Sequence, residues 1–374
     1  MLPSNKGDNI HGQHPYRRIA LHLPGRNVPP DGLPAAPSRG NRRRSPDEAE
    51  RDLRDGRAYR GGQAAASRYE LVGEIADLGK APAVDGLGHP LRQGDSAIAC
   101  VAIPCGTCTS CGRDETASCM SFGVTYMRNP SAPPHLFGGF AEALHSPVAN
   151  LVKVPEGLDV DAVSAFPCGG PTVIRAFTYA GGLERGELVV VQGTGPLGLF
   201  AIAWAVAKGC TVVAIGSGSN PARTELALRL GAAEVLDFRK TGREERAARI
   251  KALAGELKRG DGADVVIETS GAPDAFSEGI DLVRTRGRYV VPGQYSNRGG
   301  IQIQPQRITF RALRIIGSGQ YTLGDIASYL EFLQAHPKVV SVFSSCVSAY
   351  KLADWPEAFA AAKSGLNIKT VFSA

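Results

Sequence analysis

Four of the eight cysteines lie in one short stretch, PCGTCTSCGRDETASC (104–119), as Cys105, Cys108, Cys111 and Cys119. Thiols spaced C-x2-C-x2-C-x7-C hold a metal ion or pair as disulfides. The N-terminus has no compact apolar core of a secretory leader, which makes metal ligation the expectation over disulfides. A second constellation is Gly193-Thr194-Gly195-Pro196-Leu197-Gly198, placed between the apolar run ELVVVQ (187–192) and LGLFAIAWAVAKG. Between a strand and a helix, G-x-G-x-x-G cradles a pyrophosphate. The first glycine allows the tight turn, the second lets the backbone approach the phosphates, and the third lets helix and strand pack closely. The phosphates then sit on the helix N-terminus, where free N–H groups and the dipole favour anions.

Dinucleotide sites of this kind carry an acidic residue about 20 positions further on, for the adenosine ribose hydroxyls. Here no Asp or Glu occurs from Leu188 to Thr224. The second strand ends instead in GSGSNPAR, with Ser217, Ser219 and Arg223. A carboxylate would repel a 2′-phosphate, whereas serines and an arginine can receive one. This tilts the expectation toward NADP(H), although backbone and hydroxyl contacts hold NAD(H) as well.

The elements that must position these groups fall into two patterns. YELVGEIADLG, GDSAIACVAIP and GGFAEALHSPVANLVKVPEGL read as short strands broken by Gly and Pro turns. From about residue 160, strands alternate with helices. TVVAI, AEVLDF, ADVVIET, RYVVPG and RALRIIGSG are strands, and PARTELALRLG is a helix ending in a glycine. Continuous Val/Ile runs in βαβα order imply a parallel, doubly wound α/β sheet. Helical patterns at 323–335 and 353–363 and the strand IKTVF (368–372) return to the first domain or cap it. Residues 1–66 are rich in Arg, Pro, Gly and Ala. They lack periodicity apart from a brief IALHL, and are expected to be disordered.

The chain has 43% hydrophobic and 21% charged residues, as an ordinary globular protein does, and no apolar run long enough to span a membrane. Its net charge of +6 resides entirely in residues 1–68, and the remainder is balanced. No basic field therefore draws the body of the protein to a polyanion. The cysteine stretch, with one Arg beside Asp114 and Glu115 and no aromatic residue, does not read as a nucleic-acid binder.

Together, the four-cysteine stretch and GDSAIACVAIPCGTC, GGFAEA, NLVKVPEGL, VVVQGTGPLG and LALRLGA resemble the zinc-dependent alcohol dehydrogenases of the medium-chain dehydrogenase/reductase superfamily. The resemblance runs from about Tyr69 to the C-terminus. CGGPTVIRAF (168–177) also looks like the branch acting on cyclic secondary alcohols. The resemblance implies a GroES-like β-rich domain (67–160) and a Rossmann domain (161–312). A last strand and a return to the catalytic domain (313–374) follow, and 1–66 is left as a divergent segment. It also implies a structural zinc on Cys105, Cys108, Cys111 and Cys119, and Cys168 as a ligand of a catalytic zinc. Thr172 would lie beside the nicotinamide, and Pro292, Gly293 and Gln294 near its carboxamide. Gly193, Gly195, Pro196, Leu197 and Gly198 would hold the pyrophosphate, with Ser217 and Arg223 at the adenosine end. The implied reaction is hydride transfer between an alcohol or ketone and NAD(P), in a cytoplasmic homodimer or homotetramer.

The chain departs from that pattern at the catalytic zinc. Tyr69 stands where the family has histidine, and a neutral phenol is a poor zinc ligand. No cysteine precedes Cys100. Glu70, next in the chain, matches a family position beside the metal. A shifted reading frame that rejoins the family near Tyr69 accounts for the composition of 1–66. Resequencing tests it, and an intact frame with no upstream Cys or His codon in any frame would sink it. The alternative is a non-catalytic dinucleotide-binding protein that keeps only the structural zinc. His11, His14 and His22 are assigned no role, His89, His135, His145 and His336 are expected to be surface or core residues, and Cys100, Cys210 and Cys346 fit buried strand positions.

Overall fold

The computed structural model describes residues 18–22, 70–79, 83–119, 121–124, 139–294, 299–365 and 367–373. The first part contains strands β1 (Arg18–His22), β2 (Leu71–Asp77), β3 (Ser96–Ala99) and β4 (Ala102–Ile103). Helix α1 (Thr109–Gly112) and strands β5 (Gly123–Val124), β6 (Ala143–Pro147) and β7 (Leu151–Lys153) follow. Five strands form an antiparallel sheet in the order β6-β1-β2-β3-β7, and β4 pairs with β5. Side chains alternate across a strand. Leu71 and Ile75 of β2 join one core with Ala97, Leu144 and Leu151, while Val72 faces a larger core that includes Ile98 and Val152.

Strand β1 corrects one expectation. It lies inside the segment read as disordered, yet it pairs with both β2 and β6. Five residues are too few for a period to stand out, and pairing on two sides supplies what local sequence does not. Tyr69, His11, His14, His135 and the supposed frame junction fall outside the described residues.

The second part opens with helices α2 (Val160–Ala165) and α3 (Gly169–Tyr179) and strand β8 (Leu188–Gln192). Then come α4 (Pro196–Ala207), β9 (Thr211–Gly216), α5 (Pro221–Arg229), β10 (Glu234–Asp237), α6 (Arg243–Glu256), β11 (Ala263–Glu268), α7 (Pro273–Leu282) and β12 (Val283–Val291). Helix α8 (Gln306–Phe310) and strand β13 (Arg314–Gly317) end the sheet. Its order is β10-β9-β8-β11-β12-β13 and its pairings are parallel. That is the doubly wound arrangement, with the order reversing between β8 and β11. Every residue of β8 is buried. Val189 and Val191 face the core shared with α3 and α4, and Leu188 and Val190 face the one closed by α6 and α7.

A buried carboxylate anchors the bottom of this sheet. Asp264 accepts two bonds from Arg259 at 2.8 Å, one from Arg284 at 2.7 Å and the Leu188 amide at 2.8 Å. Burial pushes its pKa up, but the Arg259 and Leu188 hydrogen bonds and Arg284 outweigh that, and the net shift is downward from 3.8. A carboxyl lowered in the native state contributes its full stabilisation above its unfolded pKa. The contribution is lost as pH falls below 3.8 and through the lower native value. Asp264→Asn should therefore flatten the acid limb of the stability–pH curve and lower stability at neutral pH. Urea titrations across pH read both effects.

The tail consists of α9 (Leu323–Ala335), α10 (Pro337–Ser344), β14 (Val347–Lys351), α11 (Trp355–Ser364) and β15 (Lys369–Ser373). Thr322 and Asp325 cap α9 reciprocally, and Arg175 of α3 binds both at 2.8–2.9 Å. The Tyr329 hydroxyl donates to the carbonyls of Ala162 and Val163 at 3.1 and 2.9 Å. Two contacts join the tail to the first part. Lys369 of β15 forms an ion pair with Glu70, and Phe372 packs edge-on against Phe140 with ring centres 5.1 Å apart.

Candidate functional site

The loop from Cys105 to Cys119 closes on itself through sulfur. The Sγ atoms of Cys108 and Cys111 are 3.6 Å apart, those of Cys108 and Cys119 3.8 Å, and those of Cys105 and Cys111 3.9 Å. A tetrahedral zinc with Zn–S near 2.3 Å requires S···S edges of about 3.8 Å. A disulfide requires about 2.05 Å, and all four thiols are free. The backbone N–H groups of Cys105 and Cys108 donate to the sulfurs of Cys119 and Cys105, each at 3.4 Å. Without a cation the four thiols cannot all ionise. Hydrogen bonds from the backbone at Thr107 and Cys108 bring Cys105 down to about 6, while desolvation and the three neighbouring sulfurs push Cys111 up to about 12. One divalent ion removes that conflict. Ser118 Oγ lies 3.2 Å from Tyr179 Oη, which ties the lobe to the end of α3.

The glycine loop has the geometry its spacing implies. Gly193 sits at φ +112°, where a Cβ would lie 2.9 Å from Thr269 Oγ1. Gly195 faces open space at the N-terminus of α4. A Cβ on Gly198 would overlap the Gly193 carbonyl, so the third glycine is what lets the helix close on the turn. Pro196 occupies the first helical turn of α4, where no N–H is needed. Leu197 reaches toward α3, and a Cβ on Gly169 would lie 3.2 Å from its Cδ1. Cys168, which caps α3, is therefore brought beside the dinucleotide loop.

Cys168 is enclosed. Burial pushes its thiol up to about 11, against the opposing effect of the neighbouring Tyr321 and Thr172 hydroxyls. Burial also drives the Tyr321 phenol far above its ordinary range. The only set of three or more metal-ligating side chains among the described residues is the four-cysteine cage. Glu70 is engaged by Lys369. One thiol beside a phenol and a threonine is not a Cys/His/Cys donor set, so the described residues around Cys168 do not fit a catalytic zinc.

Beside Pro292-Gly293-Gln294, sequence reasoning missed Glu268. This fully buried carboxylate ends β11 and accepts from Ser270 N at 2.7 Å, Ser270 Oγ at 2.6 Å, Gly271 N at 2.9 Å and Gln294 Nε2 at 3.1 Å. Gly293 packs on it so closely that a Cβ would lie 2.5 Å from Oε2. Glu268 thereby joins Pro292-Gly293-Gln294 to the loop after β11. Its signal was an acidic residue ending the apolar run ADVVIE.

In the loop after β9, the hydroxyls of Ser217 and Ser219 bond to each other at 2.5 Å. Arg223 is half-buried and turns to the C-terminal segment, where Nη2 donates to the Asn367 carbonyl at 3.4 Å. Asn220 is clamped there too, through Gly365 O at 2.7 Å. A carboxylate does reach this loop, from the neighbouring strand. Asp237 Oδ2 occupies the space a side chain on Gly218 would need.

A Rossmann sheet with a glycine cradle, joined to an antiparallel domain with a thiolate cage, defines a dinucleotide-dependent oxidoreductase. The comparisons agree. Residues 50–156 match the alcohol dehydrogenase GroES-like domain and residues 196–335 the zinc-binding dehydrogenase domain. The first match begins upstream of Tyr69. The chain is 32% identical to 5-exo-hydroxycamphor dehydrogenase of Pseudomonas putida, over 67% of each chain. It is 27% identical to sorbitol dehydrogenase of Halalkalibacterium halodurans, over 82% of each. An alcohol dehydrogenase from Thermotoga maritima shares the fold, with a TM-score of 0.78 at 23% identity, covering 96% of this chain and 93% of that one.

The chain belongs to the zinc-dependent alcohol dehydrogenases of the medium-chain dehydrogenase/reductase superfamily. These are oxidoreductases that use zinc and NAD(P) and act on small alcohols. The non-catalytic alternative draws no support from the comparisons. Among the described residues, no helix is long and apolar enough to cross a membrane.

Proposed function

We propose that this chain interconverts a secondary alcohol, cyclic ones included, and its ketone, with NAD(P) as hydride carrier. The observation that carries the reading is the approach of Cys168 and α3 to Leu197 of the glycine loop, because it joins the expected substrate side to the cofactor side. Gly193, Gly195, Pro196, Leu197 and Gly198 hold the pyrophosphate on the N-terminus of α4, and Ser217 and Arg223 border the adenosine. Thr172 packs beside the nicotinamide, and the Pro292-Gly293-Gln294 backbone, held by Glu268, meets its carboxamide. Cys105, Cys108, Cys111 and Cys119 hold a structural zinc. The domains run over 67–160, 161–312 and 313–374. The name 5-exo-hydroxycamphor denotes a cyclic secondary alcohol, which supports the substrate class.

A homodimer through the nucleotide-binding sheet fits the edge strand β13, whose approach carries Phe310 at 84% exposure and Ile303 at 40%. Eight cysteines with no disulfide among them support a reducing, cytoplasmic setting. The test is NAD(P) reduction by zinc-replete protein over a panel of cyclic and acyclic secondary alcohols. Turnover with the cyclic members is expected. Protein that binds the cofactor but reduces it with none of these alcohols would overturn the reading.

A further inference from the structure

We infer that Asp237 makes this chain prefer NAD(H) to NADP(H), with a carboxylate drawn from the third strand of the sheet rather than the second. The inference rests on the dinucleotide reading of the glycine loop. In a doubly wound sheet the adenosine half of the cofactor lies over the first three strands, here β8, β9 and β10, and its ribose sits by the loop after the second. That loop, 216–220, contains no acidic residue.

The neighbouring strand supplies the missing group. Asp237 is the last residue of β10 and is paired in register with Gly216, the last residue of β9. Its side chain lies over the loop, against Gly218, which has φ +59° and no room for a Cβ beside Oδ2. Oδ1 accepts the Arg239 amide at 2.9 Å and so caps the turn after β10. Oδ2 has one charged neighbour, the Lys240 ammonium at 3.9 Å. That leaves Oδ2 able to accept from a hydroxyl.

The two cofactors place opposite demands on this corner. The ribose of NAD(H) brings hydroxyl donors, which a carboxylate accepts. The 2′-phosphate of NADP(H) brings close to two negative charges and only acceptors, and meets Asp237 as a like charge. Two cations stand near enough to oppose that repulsion. Arg223 is turned to Asn367 and does not face the loop with its full fork. The Lys240 side chain is 82% exposed, so solvent screens it. The partly buried carboxylate therefore outweighs both, and the loop's serines read toward NADP(H) only while the adjacent strand is left out.

Fluorescence titrations of the full-length protein with NADH and NADPH test this. The wild type should bind NADH at least roughly tenfold more tightly than NADPH. Asp237→Asn keeps an acceptor for the Arg239 amide and should narrow that ratio by roughly tenfold, chiefly through tighter NADPH binding. Asp237→Glu should retain the NADH preference. A wild type that binds NADPH as tightly as NADH, or an Asp237→Asn ratio equal to that of the wild type, overturns the inference. Protein that binds neither cofactor overturns the dinucleotide reading and this inference with it.

Discussion

Cys108→Ser is expected to cost the protein one zinc per chain and to melt residues 105–119 while the parallel sheet stays folded. The lobe has almost nothing else to hold it. Helix α1 and the single 3-10 turn at Thr116–Ser118 bury no residue, and within the lobe Cys119 alone is fully buried. Structural zinc in small domains contributes about 10–16 kcal/mol of apparent binding energy, and that energy is folding energy. A loop without a hydrophobic core cannot replace it. Metal analysis should show the loss of one zinc, and limited proteolysis should show new cleavage between Cys105 and Cys119. NADH titration should remain near wild type, because the glycine loop shares no side chain with the cage. A variant that keeps its zinc and its protease resistance would refute the cage assignment.

Gly198→Ala is expected to have the opposite profile, with zinc retained and the cofactor lost. The added methyl group would overlap the Gly193 carbonyl, which is backbone and cannot swing aside. Either the N-terminus of α4 lifts away from the turn, or the turn opens. The overpacking costs about 1–3 kcal/mol of stability. The functional loss is larger, because the N–H groups at the helix start must aim at the pyrophosphate, and a displacement of about 1 Å costs roughly a hundredfold in rate. Titration with NADH and kcat/KM for the alcohol read this directly. Gly195→Ala is the informative control. Its Cβ meets nothing in the protein, so stability should hold while binding weakens where the phosphates approach. Equal cofactor affinity in Gly198→Ala and wild type would remove the pyrophosphate from this turn.

Features that are local in the chain were legible before the fold was known. The four cysteines lie in one short stretch and the three glycines in one turn, so spacing carries much of their geometry. The strands of the parallel sheet were readable as Val/Ile runs, because burial on both faces leaves a continuous apolar signature. What escaped depends on strand order. Glu268 and Asp237 are single acidic residues closing apolar strands, and their meaning comes from the loops that adjacent strands bring to them. Strand β1 escaped because its stability is borrowed from β2 and β6. The slight tilt toward NADP(H) was argued from the loop alone, whereas the inference drawn from Asp237 depends on the strand beside it. Tyr69 was recognised as a departure from the family, and it lies outside the described residues.

The junction of β15 with the start of β2 bears on how the chain is made. Lys369 and Phe372 belong to the last strand, and the partners they meet, Glu70 and Phe140, belong to the first part. During synthesis the first part emerges early but lacks that clasp until residues 369–372 have left the ribosome. The parallel sheet, whose strands follow one another at short intervals, can form well before. Contacts between distant points of a chain close slowly, because the intervening loop entropy is lost first. The nucleotide-binding half should therefore serve as the early template on which the substrate-facing half is completed. A ribosome halted before codon 369 would carry a nascent chain competent for the first of these steps and unable to finish the second.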